Sequence, residues 1–214
     1  MRHTRLKIFW KEREIIMKTA PITVTSRGTG VGEALALTEQ IGKDCRLAPK
    51  SILHLRLLGE ELFGMLRGIA GEIEADYWID CDEKKIDLHL KSTIHLTQEM
   101  KEQLLAASSS GSNEAAKSFM GKIRVMIANA LLSSKEASPF AVINAAAASP
   151  AGGFDASAGN WSMLAYKNEL KKKDVKETTE AWDELEKSIV ANIADDVRVK
   201  IVGNAVEIIV AKAF

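Results

Sequence analysis

Hydrophobic and polar positions in this chain follow two periods, and the switches between them mark the elements. Ile22-Thr-Val-Thr-Ser26 is a β-branched run that predicts a strand. Gly28-Thr-Gly-Val-Gly32 predicts a turn, and residues 33–45 then place Ala34, Leu37 and Ile41 on one helix face. Pro49 suits the first position of a second helix with residues 50–69 as its body, and Gly71 ends it. From residue 73 the period becomes two. Ile73, Ala75, Tyr77 and Ile79 share one face, and Glu74, Asp76 and Asp80 share the other. Residues 82–85 form a turn, and Ile86, Leu88 and Leu90 alternate again, so the pair predicts a hairpin.

The second half repeats this grammar with more interruptions. Residues 100–106 predict a short helix, and Ser108-Ser-Ser-Gly-Ser112 a flexible break. Residues 114–132 predict a helix with Phe119, Ile123, Met126, Ile127 and Ala130 as its apolar stripe. Residues 133–160 are rich in Ala, Ser and Gly and contain Pro139 and Pro150, the composition of a long loop or flexible insertion. A short helix over 161–173 follows. Residues 177–195 then read as one helix with Trp182, Leu185, Ile189 and Ile193 on one side. Residues 197–202 and 205–210 form a last hairpin across Gly203-Asn204. There is no internal repeat. Helices are segregated from hairpins, which predicts an α+β two-layer sandwich with a mixed, mostly antiparallel sheet and helices on one face.

Composition narrows the function classes. The chain has 214 residues, 46% hydrophobic, enough for one packed core spanning residues 17–214 as a single domain. Its 29 basic and 29 acidic residues cancel, so charge favours neither nucleic acid nor an anionic membrane. No apolar run reaches the roughly 18–20 residues of a membrane span, and the start lacks the apolar block of a signal peptide. Residues 1–16 are basic and patternless. They read as a leader or arm ahead of a natural start at Met17, with Ile8, Phe9, Ile15 and Ile16 able to dock on a partner. Cys45 and Cys81 have no metal or redox spacing and read as reduced packing thiols of a cytoplasmic protein.

Candidate chemistry concentrates on the second helix. The glycines at 28–32 are followed by Glu33, so the dinucleotide fingerprint fails, and no phosphate-loop Lys-Ser or Lys-Thr follows either. A tight turn is the plain reading, and an anion at the helix start the alternative. His54, His89 and His95 lack a third ligand at metal spacing and read as packing or surface residues, so no metal site is assigned. Trp161 and Trp182 read as core anchors, and residues 167–176 as a solvated charged face. On the second helix, Ile52, Leu55, Leu58, Leu62, Phe63, Leu66 and Ile69 form the apolar arc. Glu60 follows Arg56 by four residues and reads as a solvated ion pair, with Arg67 nearby. Glu61 falls instead with His54, Gly64 and Gly68, with Met65 at the edge. Those glycines either bare the backbone beside the carboxylate for a ligand or admit a neighbouring helix.

In layout the chain resembles the Bergerat ATP-binding fold of histidine kinases, anti-sigma-factor kinases, gyrase and Hsp90. A strand and helix precede a helix bearing Glu61, like that family's N-box helix; a hairpin follows, then Lys101-Glu-Gln-Leu-Leu105 like the segment after the G1 box. Residues 108–118 correspond to the ATP lid, and Ser118-Phe-Met-Gly-Lys-Ile-Arg124 to its Gly-rich end. The resemblance covers about residues 20–132 and 177–214. It implies a histidine-kinase-like ATPase domain binding ATP or ADP, with Glu61 as general base. Glu61, Gly64, Met65, Gly68, Thr93, Lys117, Gly121 and Lys122 would line the pocket, the two lysines neutralising phosphate.

The departures redirect that expectation. Met65 stands where the family has its Mg²⁺-binding Asn, and a thioether is a poor ligand for a hard cation. Lys91-Ser-Thr-Ile-His-Leu-Thr97 has neither the Asp that reads adenine nor its glycines. The expected function is thus a regulatory protein with a diverged pocket, binding nucleotide weakly or a protein partner, without Mg²⁺. The alternative is a non-enzymatic interaction module that has lost nucleotide binding. The sequence leaves the oligomeric state open.

Overall fold

The computed structural model describes residues 17–67, 72–83, 85–95, 154–155, 160–173 and 175–214, together with Phe119, Gly121, Ile123, Met126, Ile127, Ala130 and Leu131. In chain order the elements are β1 (Met17–Lys18), β2 (Ile22–Thr25), α1 (Val31–Asp44), α2 (Pro49–Arg67), β3 (Glu74–Asp82) and β4 (Lys85–Thr93). After them come β5 (Phe154–Asp155), β6 (Asn160–Ser162), α3 (Met163–Lys172), α4 (Val175–Lys187), α5 (Ile189–Ile193), β7 (Asp196–Val202) and β8 (Ala205–Ala213). The described residues between 119 and 131 are helical. The class is α+β, and every described strand pairing is antiparallel.

The sheet runs β1–β3–β4–β8–β7–β6–β5, with β2 also paired to β3. β1 and β2 are two pieces of one edge, interrupted before Pro21, which has no N–H to give to a ladder. Thr19 bridges the gap: its N–H donates to Ile79 O at 3.0 Å, and its Oγ1 accepts from the Ile79 N–H at 3.0 Å. Both predicted hairpins form. Glu83 takes positive φ in the first turn, and Gly203 does so in the second. Register then builds one continuous core row across six strand segments: Ile22, Tyr77, Leu90, Ile208, Val199 and Trp161. A sheet alternates faces residue by residue, so this row and its neighbours bury one whole face.

The helices cover that face. Leu55, Leu58, Leu62, Met65 and Leu66 of α2 join the sheet residues in one core with Phe119, Ile123 and Ile127. Two helix glycines let α1 and α2 approach. A Cβ on Gly59 would sit 3.2 Å from Leu35, and one on Gly42 would sit 3.0 Å from Ile52. Thr38 is fully buried in α1; its hydroxyl lies 2.7 Å from Ala34 O and 2.7 Å from the Tyr77 hydroxyl. Burial pushes the Tyr77 phenol far above its ordinary range, and the Thr38 contact offsets only part of that. The pair satisfies two polar groups that would otherwise each cost about 1–3 kcal/mol.

Four local expectations are corrected. Trp161 is in strand β6, not a helix; it pairs with Val199 and is a core anchor at 1% exposure. Helix α3 starts after it, at Met163, where the Ser162 hydroxyl accepts from the Ala165 N–H. Of the expected loop over 133–160, residues 154–155 and 160 are strand, and residues 133–153 lie outside the described residues. The single helix over 177–195 is two helices broken at Ser188, whose hydroxyl caps α5 by accepting from the Ala191 N–H. The break shifts the phase of the stripe: Val190 is buried, and Ile189 is 45% exposed. Lys167 is not a free surface charge either, for its Nζ donates to Ala191 O at 2.8 Å, and burial lowers its pKa. Among the described residues no helix is long and apolar enough to cross a membrane.

Gly30 caps α1 with φ of 75°, and a Cβ there would lie 2.1 Å from Thr23 O. Gly30→Ala is therefore expected to cost roughly 3 kcal/mol or more in urea unfolding, because backbone must move. Gly28→Ala, also at positive φ but in open space, should cost only about 1–2 kcal/mol. Asp195 gives a pH test. Its carboxylate accepts from Lys212 Nζ at 2.8 Å and from the Ala213 N–H at 2.7 Å. Partial burial opposes ionisation, yet these bonds win and hold its pKa below the ordinary value. Its stabilisation is thus present above the unfolded pKa of about 3.9 and is lost as pH falls through the lower folded value. Asp195→Asn should lower the urea midpoint at neutral pH and match the parent chain in strong acid.

Candidate functional site

Helix α2 presents two kinds of surface besides its core stripe. On one, Arg56 Nε donates to Glu60 Oε1 at 2.9 Å, and Arg56 Nη1 donates to Glu39 of α1. The Glu39 partner raises the Arg56 pKa most, against a smaller opposing effect of burial. This is the solvated pair expected from the spacing, extended by a second acid from the neighbouring helix.

The other surface carries Glu61 and Gly64, three residues apart and so on one face. Glu61 is half-buried, and no hydrogen bond or ion pair joins it to another described residue. Gly64 is exposed, and a Cβ built on it would meet nothing within 4 Å among the described residues. The glycines that admit a neighbouring helix are therefore Gly42 and Gly59, while Gly64 bares its backbone. Met65, placed at the edge of this face by the helical wheel, is instead in the core at 1% exposure. It packs in the cluster that joins α2 to the sheet.

The other pocket residues divide. Thr93 ends β4 and shares the sheet face that carries no described helix with Lys91 and His89, since Ser92 and Ile94 on either side of it are buried. The structure does not bring it to the Glu61 face. Gly121 is helical and buried. Gly68, Lys117 and Lys122 lie outside the described residues, as do Arg67's side chain and Ile69.

A second constellation, which periodicity did not reveal, occupies the sheet face without described helices. Register sets Trp78 beside His89, and their rings stack with centroids 4.7 Å apart and planes 13° from parallel. Lys18 Nζ lies 4.9 Å over the Trp78 ring, a cation–π distance. The imidazole sits between two carboxylates: Nδ1 is 3.2 Å from Glu207 Oε1, and Nε2 is 3.2 Å from Asp80 Oδ2 but outside hydrogen-bond geometry. Arg198 Nη2 donates to Asp87 Oδ2 at 2.7 Å next to them. His89 is 8% exposed and flanked by a carboxylate on each side, a wedge between the strands. His95 lies past the end of β4, about 20 Å along the strand direction, so the two histidines do not meet. Among the described residues no three His, Cys, Asp or Glu side chains are grouped to hold a metal. Further along this face a shallow hollow of about 360 Å³ is lined by Asn160, Ser162, Arg198, Lys200 and Ile209.

Comparison with protein-family models, with curated proteins and with solved structures matches nothing to this chain. Of the two arrangements, the sheet-face cluster pairs Arg198 with Asp87 and His89 Nδ1 with Glu207, while Trp78 Nε1, Asp80 Oδ1, Asp87 Oδ1, His89 Nε2 and Arg198 Nε are buried without a hydrogen-bond partner among the described residues. The Glu61–Gly64 face has a carboxylate and a bare helix backbone without a partner among the described residues.

A glycine inside a helix costs about 0.5–1 kcal/mol relative to alanine. With open space at its Cβ position, Gly64→Ala is expected to stabilise the chain by about that amount in urea unfolding. A loss of stability instead would show that another segment packs against this face.

Proposed function

We propose that this chain is a regulatory protein with a diverged ATP-type pocket, whose Glu61–Gly64 face binds ADP or ATP weakly without turning it over. The observation that carries the reading is the pairing of a half-buried Glu61, unpartnered among the described residues, with an open Gly64 on a helix otherwise sunk in the core. Leaving a carboxylate unpaired and a helix backbone bare reduces stability without compensation from packing, which fits a surface kept for a ligand.

Element order supports the same reading. A first strand and helix, a Glu-bearing helix, a hairpin, and a closing helix and hairpin follow in the sequence on which the histidine-kinase-like ATPase resemblance rests. The departures argue for binding without phosphoryl transfer. Met65 replaces the metal-binding Asn with a sulfur buried in the core, and Mg²⁺ takes oxygen ligands. Phosphoryl transfer works by positioning and neutralising charge, so a pocket without its metal ligand retains affinity more readily than rate.

Thermal unfolding with ADP and ATP, with and without Mg²⁺, tests this. Nucleotide at about ten times its Kd should add about 1.4 kcal/mol, a rise in Tm of roughly 2–4 °C, with little dependence on Mg²⁺. No rise at millimolar nucleotide under either condition would sink the reading. Phosphate release that Glu61→Ala abolishes would overturn its non-catalytic part.

A further inference from the structure

Cys45 and Cys81 are 36 residues apart in sequence, and the fold brings their sulfurs to 2.7 Å. Both are free thiols. Two sulfurs at this separation are inside van der Waals contact, and a bond between them needs only about 2.0 Å. Each sits on a fixed element. Cys45 is the C-cap of α1, its N–H donating to Ile41 O at 2.9 Å. Cys81 is in β3, between Met17 on the edge strand and Ile86 on β4. The approach is thus set by the packing of α1 on the sheet rather than by a mobile loop.

The two thiols differ in access. Cys45 is partly exposed, and Cys81 is buried at 3% exposure. Burial, with smaller contributions from Cys45 and Asp82, pushes the Cys81 thiol up to about 12. Thiolates, not thiols, attack oxidants, so an oxidant meets Cys45 first and Cys81 acts second.

We infer that Cys45 and Cys81 are an oxidation site that closes into a reversible disulfide under a peroxide-class oxidant. Cys45 sulfur attacks one peroxide oxygen; the O–O bond breaks, a sulfenic acid forms on Cys45 and one water leaves. Cys81 sulfur then attacks Cys45 sulfur. The S–S bond forms as the S–O bond breaks, and the departing hydroxide leaves with the Cys81 proton as a second water. The two thiols give up two electrons, and the peroxide becomes two waters. A dithiol reductant reverses the change. The bond would pin the end of α1 to β3 and close a loop that contains all of α2, so the oxidised chain resists unfolding more than the reduced one.

The test treats the reduced full chain with hydrogen peroxide and reads intact mass, free thiols and melting temperature. The expected product is a monomer about 2 Da lighter, with no free thiol and a higher Tm, all restored by dithiothreitol. Cys45→Ser, at the more exposed position, should fold and give no such product. Cys81→Ser should halt with about 16 Da added at Cys45 and be trapped by dimedone. Two thiols that remain free, added oxygen without the lighter product, or cross-linked dimers would overturn the inference. No nucleotide enters this test, so its failure and that of the pocket reading are separate.

Discussion

Helix α2 lies as close to α1 as it does because Gly59 and Gly42 carry no side chain where the helices touch. A methyl on either would stand about 3 Å from Leu35 or Ile52, and a packed interior has no slack to absorb that. The close contact settles the rotation of α2 about its axis. With Gly59 toward Leu35, the helix drops Leu55, Leu58, Leu62, Met65 and Leu66 onto the sheet. Glu60 turns toward Arg56, and Glu61 with Gly64 is left on the remaining arc. The candidate site is thus a consequence of helix–helix packing, not an independent feature of a short motif.

The sheet supplies the matching constraint. One register holds from β2 through β6, and it sorts the two faces along the central strands, apart from Trp78 and Ile209 on the charged face and Ser92 and Lys212 on the other. Apolar side chains meet the helices. Charged ones meet one another across strands, as Asp76, Lys91, Glu207 and Lys200 do in a single row of alternating sign. Opposite charges at neighbouring cross-strand positions favour this register over a slip, each pair contributing a fraction of a kcal/mol. The Trp78–His89 stack sits in the adjoining row, with the imidazole between the Asp80 and Glu207 carboxylates. That cluster reads as the mechanical centre of the face without described helices.

Elements whose periodicity is unbroken were legible in the sequence: α1, α2, the β3–β4 hairpin and the β7–β8 hairpin follow the expected bounds within a few residues. So was the split between Glu60 and Glu61. What local pattern does not encode came only with the fold. Ser188 interrupts an apolar stripe that reads through it, because a capping hydroxyl outcompetes helix continuation there. Trp161 joins the sheet because the exposed edge of β7 offers unpaired backbone groups that local propensity does not register. Thr38 hides in a helix core because its partner, Tyr77, lies 39 residues away. The same long-range closure brings Cys45 to Cys81 and turns two apparent packing thiols into neighbours.

On the proposed reading, the Glu61–Gly64 arc, and not the sheet face without described helices, is where the chain meets a small ligand. Amide chemical-shift mapping of the labelled chain during an ADP titration tests it most directly. The largest saturable shifts are expected at Glu61, Gly64 and their neighbours on α2. Shifts confined to Trp78, His89 and the Arg198 hollow, or none at millimolar ADP, would contradict it.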